Sequence, residues 1–299
     1  FRSIFYSAMW KWSDMKTVTV QELYVYPVKG CNGSPVEALD ITEQGIVGDR
    51  EFSFVGDGGV LIEQKQYPKI ASVQVEQTSE GLVFKHETEG SILHKTRTEG
   101  KSVPAKWVLD EFEGTDQGDE ISQWISHILD MPIRLIRINQ PWTVNFPVPD
   151  MARLHGKSKR RFTAASELSL TNLASLEALN ADLDVPIPMD RFRSNIVVDG
   201  IGAYEEDEMD FVVGENVEIL QVTPAERCAI ISTDQKTGDR PENNIFDVLR
   251  KTRVKTEGKF GSGLIFGNYM TVKKPGKLCL GDQLAFEPAA KIGVSNGSD

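Results

Sequence analysis

Short runs of strand-forming residues, divided by turn residues, are the feature that most limits how this chain can fold. Residues 17–26 (TVTVQELYVY) are rich in β-branched and aromatic residues and end at Pro27, which is typical of a strand. Further runs of this kind, separated by Gly, Asp or Pro, follow at 52–55, 60–63, 70–76 and 82–85. The spacing predicts a barrel-like or sandwich-like N-terminal half rather than alternating βαβ units.

Helical patterns are few. They occupy 119–130, with an apolar face of Ile121, Trp124, Ile125, Ile128 and Leu129, then 171–180 and 245–252. Asp119 and Thr171 are the expected N-caps of the first two helices, and Pro132 stops the first. Strands are predicted at 195–199, 210–213, 217–222, 269–273 and 278–280. The fold class is therefore mixed α/β and β-rich.

The acidic balance of the chain excludes one broad class of function. Its 299 residues, enough for about two domains, include 33 Lys and Arg against 44 Asp and Glu, a net charge of −11. Proteins that bind nucleic acid need a basic face to neutralise phosphates, so nucleic acid is not expected as a partner. Any anionic ligand has to be held by a few local cations that act against the field of the whole protein.

Cysteine usage and hydropathy bear on location. The three cysteines, Cys31, Cys228 and Cys279, are odd in number and form no CxxC, so neither a disulfide framework nor a zinc-finger pattern is present. A reducing, cytoplasmic setting is expected. No apolar run approaches the roughly 20 residues of a transmembrane helix. Residues 1–14, which lack an initiator Met, and residues 289–299 are expected to be disordered or foreign to the natural chain.

Cys228 is the thiol in the most unusual surroundings. It lies in TPAERCAIISTD, after a predicted strand and beside Arg227. A cysteine acts as nucleophile or metal ligand only as the thiolate, which a neighbouring guanidinium favours. The alternative is a buried structural thiol, because free cysteine is among the most buried residue types.

Several cations lie in positions suited to an anionic ligand. In MDRFRSNIVVDG, Arg191, Arg193 and Asn195 alternate ahead of a predicted strand, so a period of two places them on one face. Two guanidiniums and an amide on one face can bind phosphate or heterocycle oxygens, although an exposed surface ladder has the same pattern. Lys29 in YPVKGC and Arg50 in GIVGDR stand close to glycines, where backbone can approach a ligand closely.

Six segments in register resemble the MOSC family, named for the C-terminal domain of molybdenum cofactor sulfurase. They are YPVKGCNG (26–33), GDREF (48–52), SLTNLASLEALN (169–180), DRFRSNIVV (190–198), ERCAIISTDQKTG (226–238) and SGLIFGNYM (262–270). The resemblance is to two-part members such as the amidoxime-reducing components and their bacterial relatives. It implies an N-terminal β-barrel-like region at 15–138, a connecting loop at 139–161 and a MOSC-type β-barrel with flanking helices at 162–288.

The resemblance also implies a site. By it, Cys228 is the protein ligand of a molybdenum ion carried by a pterin cofactor, and is the catalytic residue. The same resemblance assigns the binding of the pterin and its phosphate to Lys29, Gly30, Arg50, Arg193, Asn195 and Arg227, with Ser166 and a Phe266–Gly267 turn closing over it. Pyridoxal phosphate binding is a further expectation at the level of the family. Two departures stand out: Gly30 replaces a serine, and Ala225 and Glu226 replace a cysteine and a serine.

The function implied is reduction of small N-hydroxylated compounds such as amidoximes, hydroxylamines and N-hydroxylated bases. A C-terminal ferredoxin-like domain, frequent in bacterial relatives, has no counterpart in this sequence, so electrons are expected from a separate flavin reductase, ferredoxin or cytochrome. Two alternatives stay open: a non-catalytic carrier of the cofactor or its sulfur, and an interaction module that has lost the cofactor. The acidic stretch 205–210 is either a docking face for the donor or a solvated loop.

Overall fold

Strands dominate the structure, and the helices are short. The computed structural model describes residues 15–107, 110–138, 142–143, 159–163, 166–258, 261–288 and 294–295. The elements of the N-terminal half are β1 (Lys16–Val25), β2 (Ser34–Pro35), β3 (Ala38–Thr42), β4 (Gly45–Ile46), β5 (Phe52–Val55), β6 (Gln74–Thr78), β7 (Gly81–His86), β8 (Gly90–His94), β9 (Ser102–Trp107), β10 (Asp110–Asp116), α1 (Asp119–Leu129), β11 (Arg134–Ile138) and β12 (Trp142–Thr143). Those of the C-terminal half are β13 (Lys159–Arg160), β14 (Leu168–Asn172), α2 (Leu173–Ala181), β15 (Ile196–Asp199), β16 (Met209–Val213), β17 (Glu218–Glu226), α3 (Ile245–Thr252), β18 (Val254–Gly258), β19 (Gly261–Lys274), β20 (Gly276–Cys279), β21 (Gln283–Pro288) and β22 (Val294–Ser295). The predictions for residues 1–14, for most of 139–161 and for most of the tail from 289 fall outside the described residues.

Seven strands form a closed barrel, which confirms the expected fold class. The strand order is β14-β15-β1-β21-β16-β17-β19, and pairing of β14 with β19 closes the ring. The inward-facing side chains of these strands make up a buried apolar cluster that includes Val18, Val20, Leu170, Ile196 and Phe286. Burial of such side chains is worth about 1.5–3 kcal/mol each, so the barrel core is a main source of stability.

The first strand illustrates how the sequence encodes the barrel. In β1, Val18 and Val20 are buried at alternate positions, and Leu23 and Val25 continue inward after a register shift. A bulge inserts one extra residue into one strand of a pair. Because of it, both pairs of apolar residues face the core although the spacing between Val20 and Leu23 is three.

The N-terminal half consists of smaller sheets packed against α1. A four-stranded sheet has the order β5-β11-β10-β9, and β6, β7 and β8 form an antiparallel three-stranded sheet. On the inner face of α1, Ile121, Ile125 and Ile128 are buried, as predicted from their spacing. The N-cap of α1 is Gly118 rather than Asp119, and that of α2 is Asn172, whose side chain accepts a hydrogen bond from the backbone of Ala174, rather than Thr171.

Two predicted strands take another form. Residues 60–63 make only isolated bridges, at Val60 and Leu61. The predicted strand at 70–76 is divided between a 3₁₀ helix, Pro68–Ser72, and β6. Proline favours the first position of a helical turn, so Pro68 directs this segment into a turn before the strand begins.

The two halves share sheets. The N-terminal strand β1 is a member of the barrel, where it pairs with β15 and β21. In the other direction, β20 from near the C-terminus pairs with β3 of the N-terminal half. The barrel and the sheet of β3, β4 and β20 therefore each combine strands from both halves. The domain limits at 138 and 162 stay a prediction.

The acidic stretch 205–210 is divided between buried and partly exposed carboxylates, and a docking role stays a prediction. Glu206 and Asp207 are buried, at 0% and 8% exposure. Ser175 Oγ donates to Glu206 Oε2 at 2.6 Å, and Asp207 accepts two hydrogen bonds from Arg253, at 2.9 and 2.7 Å. These two carboxylates are part of the interior, whereas Glu205, Glu208 and Asp210 are partly exposed.

Candidate functional site

A cavity of about 160 Å³ lies between barrel residues and loops of the N-terminal half. Most of the site residues expected from the sequence line it together: Lys29, Gly30, Arg50, Ser166, Arg193, Asn195, Arg227 and Cys228. The volume is below the ~300–1,000 Å³ of most ligand pockets. A cavity of this size has room for a phosphate or a single ring, and a larger ligand would extend beyond it.

Cys228 stands just after β17 and immediately before a 3₁₀ helix, Ala229–Ser232. Its side chain is exposed and lines the cavity, whereas Cys31 is fully buried in the N-terminal core. Burial raises the pKa of the Cys31 thiol, so that thiol is kept protonated. The alternative of a buried structural thiol therefore describes Cys31 and does not describe Cys228.

Arg50 and Arg193 meet at one aromatic ring. Their guanidinium carbons lie 4.5 and 4.6 Å from the ring centroid of Tyr26, within the range of cation–π attraction. Both arginines have positive φ, at 47° and 54°, which is uncommon for a residue other than glycine. Loss of hydration, with the repulsion of Arg50, lowers the pKa of Arg193 to about 10. Sequence reasoning missed Tyr26.

The predicted two-residue period does not explain how Arg191, Arg193 and Asn195 converge. Arg191 belongs to a 3₁₀ helix, Met189–Phe192, and Arg193 ends it in left-handed conformation. The strand begins only at β15, after Asn195. All three residues nevertheless line the cavity, because the sharp turn at Arg193 replaces the strand geometry that the sequence suggested.

The side-chain amide of Asn195 forms hydrogen bonds within the protein and leaves no group for a ligand. Its Nδ2 donates to Asp49 Oδ1 at 3.1 Å and to the carbonyl of Tyr24 at 3.2 Å. Its Oδ1 accepts from Arg50 at 3.0 Å and from Ser169 Oγ at 3.2 Å. Both donors and both acceptor positions of the amide are thus used, and Asn195 fixes the position of Arg50.

Asp49 is the anionic partner of this cluster and was not predicted. It is 2% exposed, pairs with Arg50, and accepts the backbone N–H of Tyr26 at 2.8 Å. Lys29 is held in a similar way. Its Nζ lies 3.8 Å from Glu63 Oε1 and 3.9 Å from the ring centroid of Trp107, which also donates to Glu63.

Arg227 is anchored by backbone carbonyls. Its guanidinium donates twice to the carbonyl of Phe266, at 2.8 and 2.5 Å, and once to that of Phe192, at 3.0 Å. Phe266 is buried behind the cavity and stacks on Phe192 with centroids 3.9 Å apart. Phe266 and Gly267 lie inside the long strand β19 rather than in a turn, and neither lines the cavity. Phe266 supports Arg227 through its carbonyl.

The cations of the cavity are unequally compensated. Arg191 pairs with Asp234 at 2.9 Å and Arg50 pairs with Asp49. Among the described residues, Arg193 and Arg227 form hydrogen bonds only with neutral acceptors. A charge of this kind that is poorly hydrated attracts an anionic ligand. Glu226, one of the two departures from the family pattern, adds a carboxylate to the lining.

Several buried polar atoms of the lining lack a hydrogen-bond partner among the described residues. They are Gln64 Oε1, Thr163 Oγ1 and Arg191 Nε. Buried polar groups are nearly always satisfied by protein, water or ligand. Free acceptors and donors beside guanidiniums that bind only neutral groups can serve an anionic heterocycle. The described residues hold no group of three or more metal-ligating side chains, so a metal here would depend on a single thiolate and on donors of its own cofactor.

A two-part, β-rich protein with an exposed thiol at a cationic cavity is the class that fold and site define. The model of the MOSC N-terminal beta barrel domain matches residues 17–132, and that of the MOSC domain matches residues 157–285. The chain therefore belongs to the MOSC family.

Its relatives are named for two activities. It is 27% identical over 274 residues to mitochondrial amidoxime-reducing component 1 of Homo sapiens, covering 88% of this chain and 81% of that protein. It is 26% identical over 297 residues to molybdenum cofactor sulfurase of Bos taurus, covering 91% of this chain and 32% of that protein. The crystal structure of the YuaD protein from Bacillus subtilis covers 94% of this chain with a TM-score of 0.43 and 12% identity.

None of the helices in the described residues is both long and apolar enough to cross a bilayer.

Proposed function

We propose that this protein is a molybdenum-cofactor-dependent reductase of small N-hydroxylated compounds. The observation that carries the proposal is the exposed Cys228 thiol on a cavity lined by Arg193 and Arg227, neither of which forms an ion pair with a described carboxylate. The names of the relatives, amidoxime-reducing component and molybdenum cofactor sulfurase, support it.

The lining fits the cofactor in its chemistry. Arg193 and Arg227 would hold the phosphate, because guanidiniums bind phosphate oxygens with two donors. Arg50 would act from the position that Asp49 and Asn195 give it, and Gln64 and Thr163 offer hydrogen bonds to a heterocycle. The exposed thiol of Cys228 would be the protein ligand of the metal. When bound, the cofactor would supply the two-electron redox chemistry.

The overall reaction consumes two electrons and two protons. The N–O bond of the substrate breaks, the nitrogen takes up one of the two protons, and the hydroxyl leaves with the other as water. The three cysteines of this sequence cannot supply the four-cysteine ligation of an iron–sulfur cluster, and we propose a separate flavin reductase, ferredoxin or cytochrome as the electron donor. A cytoplasmic location follows from the cysteine usage alone and stays a prediction, as does pyridoxal phosphate binding.

The test compares wild type with Cys228→Ser, both produced in a host that makes the cofactor. Wild type should contain molybdenum and reduce benzamidoxime with a strong artificial donor. Cys228→Ser should lose activity by at least about 100-fold with an unchanged circular dichroism spectrum, because a hydroxyl is a far poorer ligand for this metal. Cys279→Ser, a half-buried thiol in β20, is the matched control and should stay active.

Three results would contradict the proposed function. Full activity in folded Cys228→Ser contradicts the role of the thiol. Bound molybdenum without reductase activity in wild type favours the carrier, to which the relationship with the sulfurase points. Absence of both metal and pterin favours a module that has lost the cofactor.

A further inference from the structure

Gln235 occupies a fixed position behind the cavity. It is 1% exposed. Its Nε2 donates to the backbone carbonyl of Thr233 at 3.0 Å. The backbone carbonyl of Gln235 accepts from Asn32 Nδ2 at 3.1 Å. Its Oε1 accepts from Gln64 Nε2 at 2.9 Å and from Arg193 Nη1 at 3.0 Å. Because every polar group of the side chain has a partner, Gln235 presents Oε1 to Arg193 in one orientation.

The bond to Gln235 Oε1 is the only hydrogen bond that the Arg193 guanidinium makes to a described residue. Two other cavity arginines each pair with a carboxylate: Arg50 with Asp49, in addition to the amide of Asn195, and Arg191 with Asp234. A neutral amide orients a guanidinium without cancelling its charge. A carboxylate at the same distance would attract it by several kcal/mol at an effective dielectric constant of about 20 and would compete with any anion in the cavity.

We propose that Gln235 is a positioning residue that aims Arg193 into the cavity and leaves its charge available, and that it thereby sets the affinity of the cavity for anionic oxygens such as those of phosphate. The proposal rests on the proposed function only for the identity of the natural ligand. Anion affinity can be measured without a metal, an electron donor or any reductase activity.

Calorimetric titration of the full chain with inorganic pyrophosphate tests this. Gln235→Glu keeps the size of the side chain and adds one negative charge beside Arg193. We expect it to weaken binding about tenfold or more, and to make affinity less sensitive to salt between about 50 and 300 mM because one effective cation is lost. Gln123→Glu is the matched control, since it adds the same charge on the exposed side of α1 and should change affinity less than about twofold.

A double-mutant cycle shows whether Gln235 acts through Arg193. In an Arg193→Gln background, Gln235→Glu should change pyrophosphate affinity by less than about twofold. Wild-type affinity in folded Gln235→Glu, an equal loss in the Arg193→Gln background, or failure of wild type to bind pyrophosphate would each overturn the proposal.

In Gln235→Glu an oxygen replaces the Nε2 that donates to the carbonyl of Thr233, and the two oxygens repel each other. Because this repulsion can itself destabilise the fold, a second variant without a new charge is also tested. Gln235→Met is neutral, similar in length and has no strong acceptor. It should weaken pyrophosphate binding by about threefold, because Arg193 loses its anchor but keeps its charge, and unchanged affinity would refute the positioning role. If the anion results hold while the molybdenum and benzamidoxime assays fail, the proposed function is wrong and the role of Gln235 stands.

Discussion

At the scale of single residues, the buried pair formed by Asp49 and Arg50 connects packing with function. Asp49 receives three donors from different segments: the backbone of Tyr26, the amide of Asn195 and the guanidinium of Arg50. A cavity cation is thus held in place by an acid that does not itself line the cavity. Breaking one side of a buried pair leaves the other charge uncompensated, which is more costly than the pair is stabilising.

Asp49→Asn should therefore lower both stability and ligand binding. In either orientation, the NH2 group of the new amide faces another donor: the Arg50 guanidinium or the N–H groups of Tyr26 and Asn195. We therefore expect a loss of about 2–4 kcal/mol in the free energy of unfolding measured in urea. Pyrophosphate affinity should fall as Arg50 loses its position. The control, Asp57→Asn on an exposed turn, should cost less than about 0.5 kcal/mol. Equal losses in the two variants would refute this account of Asp49.

The residues of the site could be predicted from the sequence more readily than their partners. Motifs pointed to Cys228, Lys29 and Arg50, which the structure brings to one cavity. No local pattern indicates that Tyr26 lies between two guanidiniums or that Gln235 reaches Arg193, because both contacts join segments distant in sequence. Such contacts are set by the tertiary fold and not by periodicity.

At the scale of elements, Gly267 shows what closing the barrel requires. It lies in β19 with φ of 67°, next to the residues that pair with β14. A Cβ at this position would lie 2.5 Å from the carbonyl oxygen of Leu170 and 2.6 Å from Thr171 Cγ2. The barrel therefore closes on a position where strand backbones approach too closely for any side chain.

Gly267→Ala should destabilise the protein by about 3 kcal/mol or more, combining left-handed strain with a backbone clash. Gly58→Ala is a control with nearly the same φ, since Gly58 has φ of 69° and nothing within 4 Å of the added Cβ. It should cost only about 1 kcal/mol, from strain alone. Thermal or urea unfolding measures both, and similar losses would show that the contact with Leu170 is unimportant.

The predictability of elements followed burial. The spacing of isoleucines fixed the limits of α1 closely, since one whole face is buried. Strands β8 and β9 were missed because each buries a single residue and is otherwise polar or exposed. The strand predicted at 60–63 was wrong for the opposite reason. Leu61 and Ile62 are buried, but the backbone there forms isolated bridges beside a turn instead of a strand ladder.

At the scale of the whole molecule, buried charges join elements that the sheets leave separate. Glu206 accepts hydrogen bonds from Ser175 on α2 and from Asn172 at its N-cap. The neighbouring Asp207 pairs with Arg253, which follows α3. Burial first, and then the charge of Asp207, raise the pKa of Glu206 to about 7.

A raised carboxyl pKa makes stability depend on pH in a defined direction. Between about pH 5 and 7 the folded protein keeps a proton on Glu206 that the unfolded chain releases, so the free energy of unfolding falls as pH rises. Glu206→Gln keeps the acceptor for Ser175 and cannot ionise. Relative to this variant, wild type should lose about 1–3 kcal/mol of stability from pH 5 to pH 8, measured by urea unfolding. Glu177→Gln, on the exposed side of α2, should follow the wild-type curve. Parallel curves for wild type and Glu206→Gln would mean that Glu206 is already ionised at pH 5, and the network would then be held by a buried anion instead of a protonated acid.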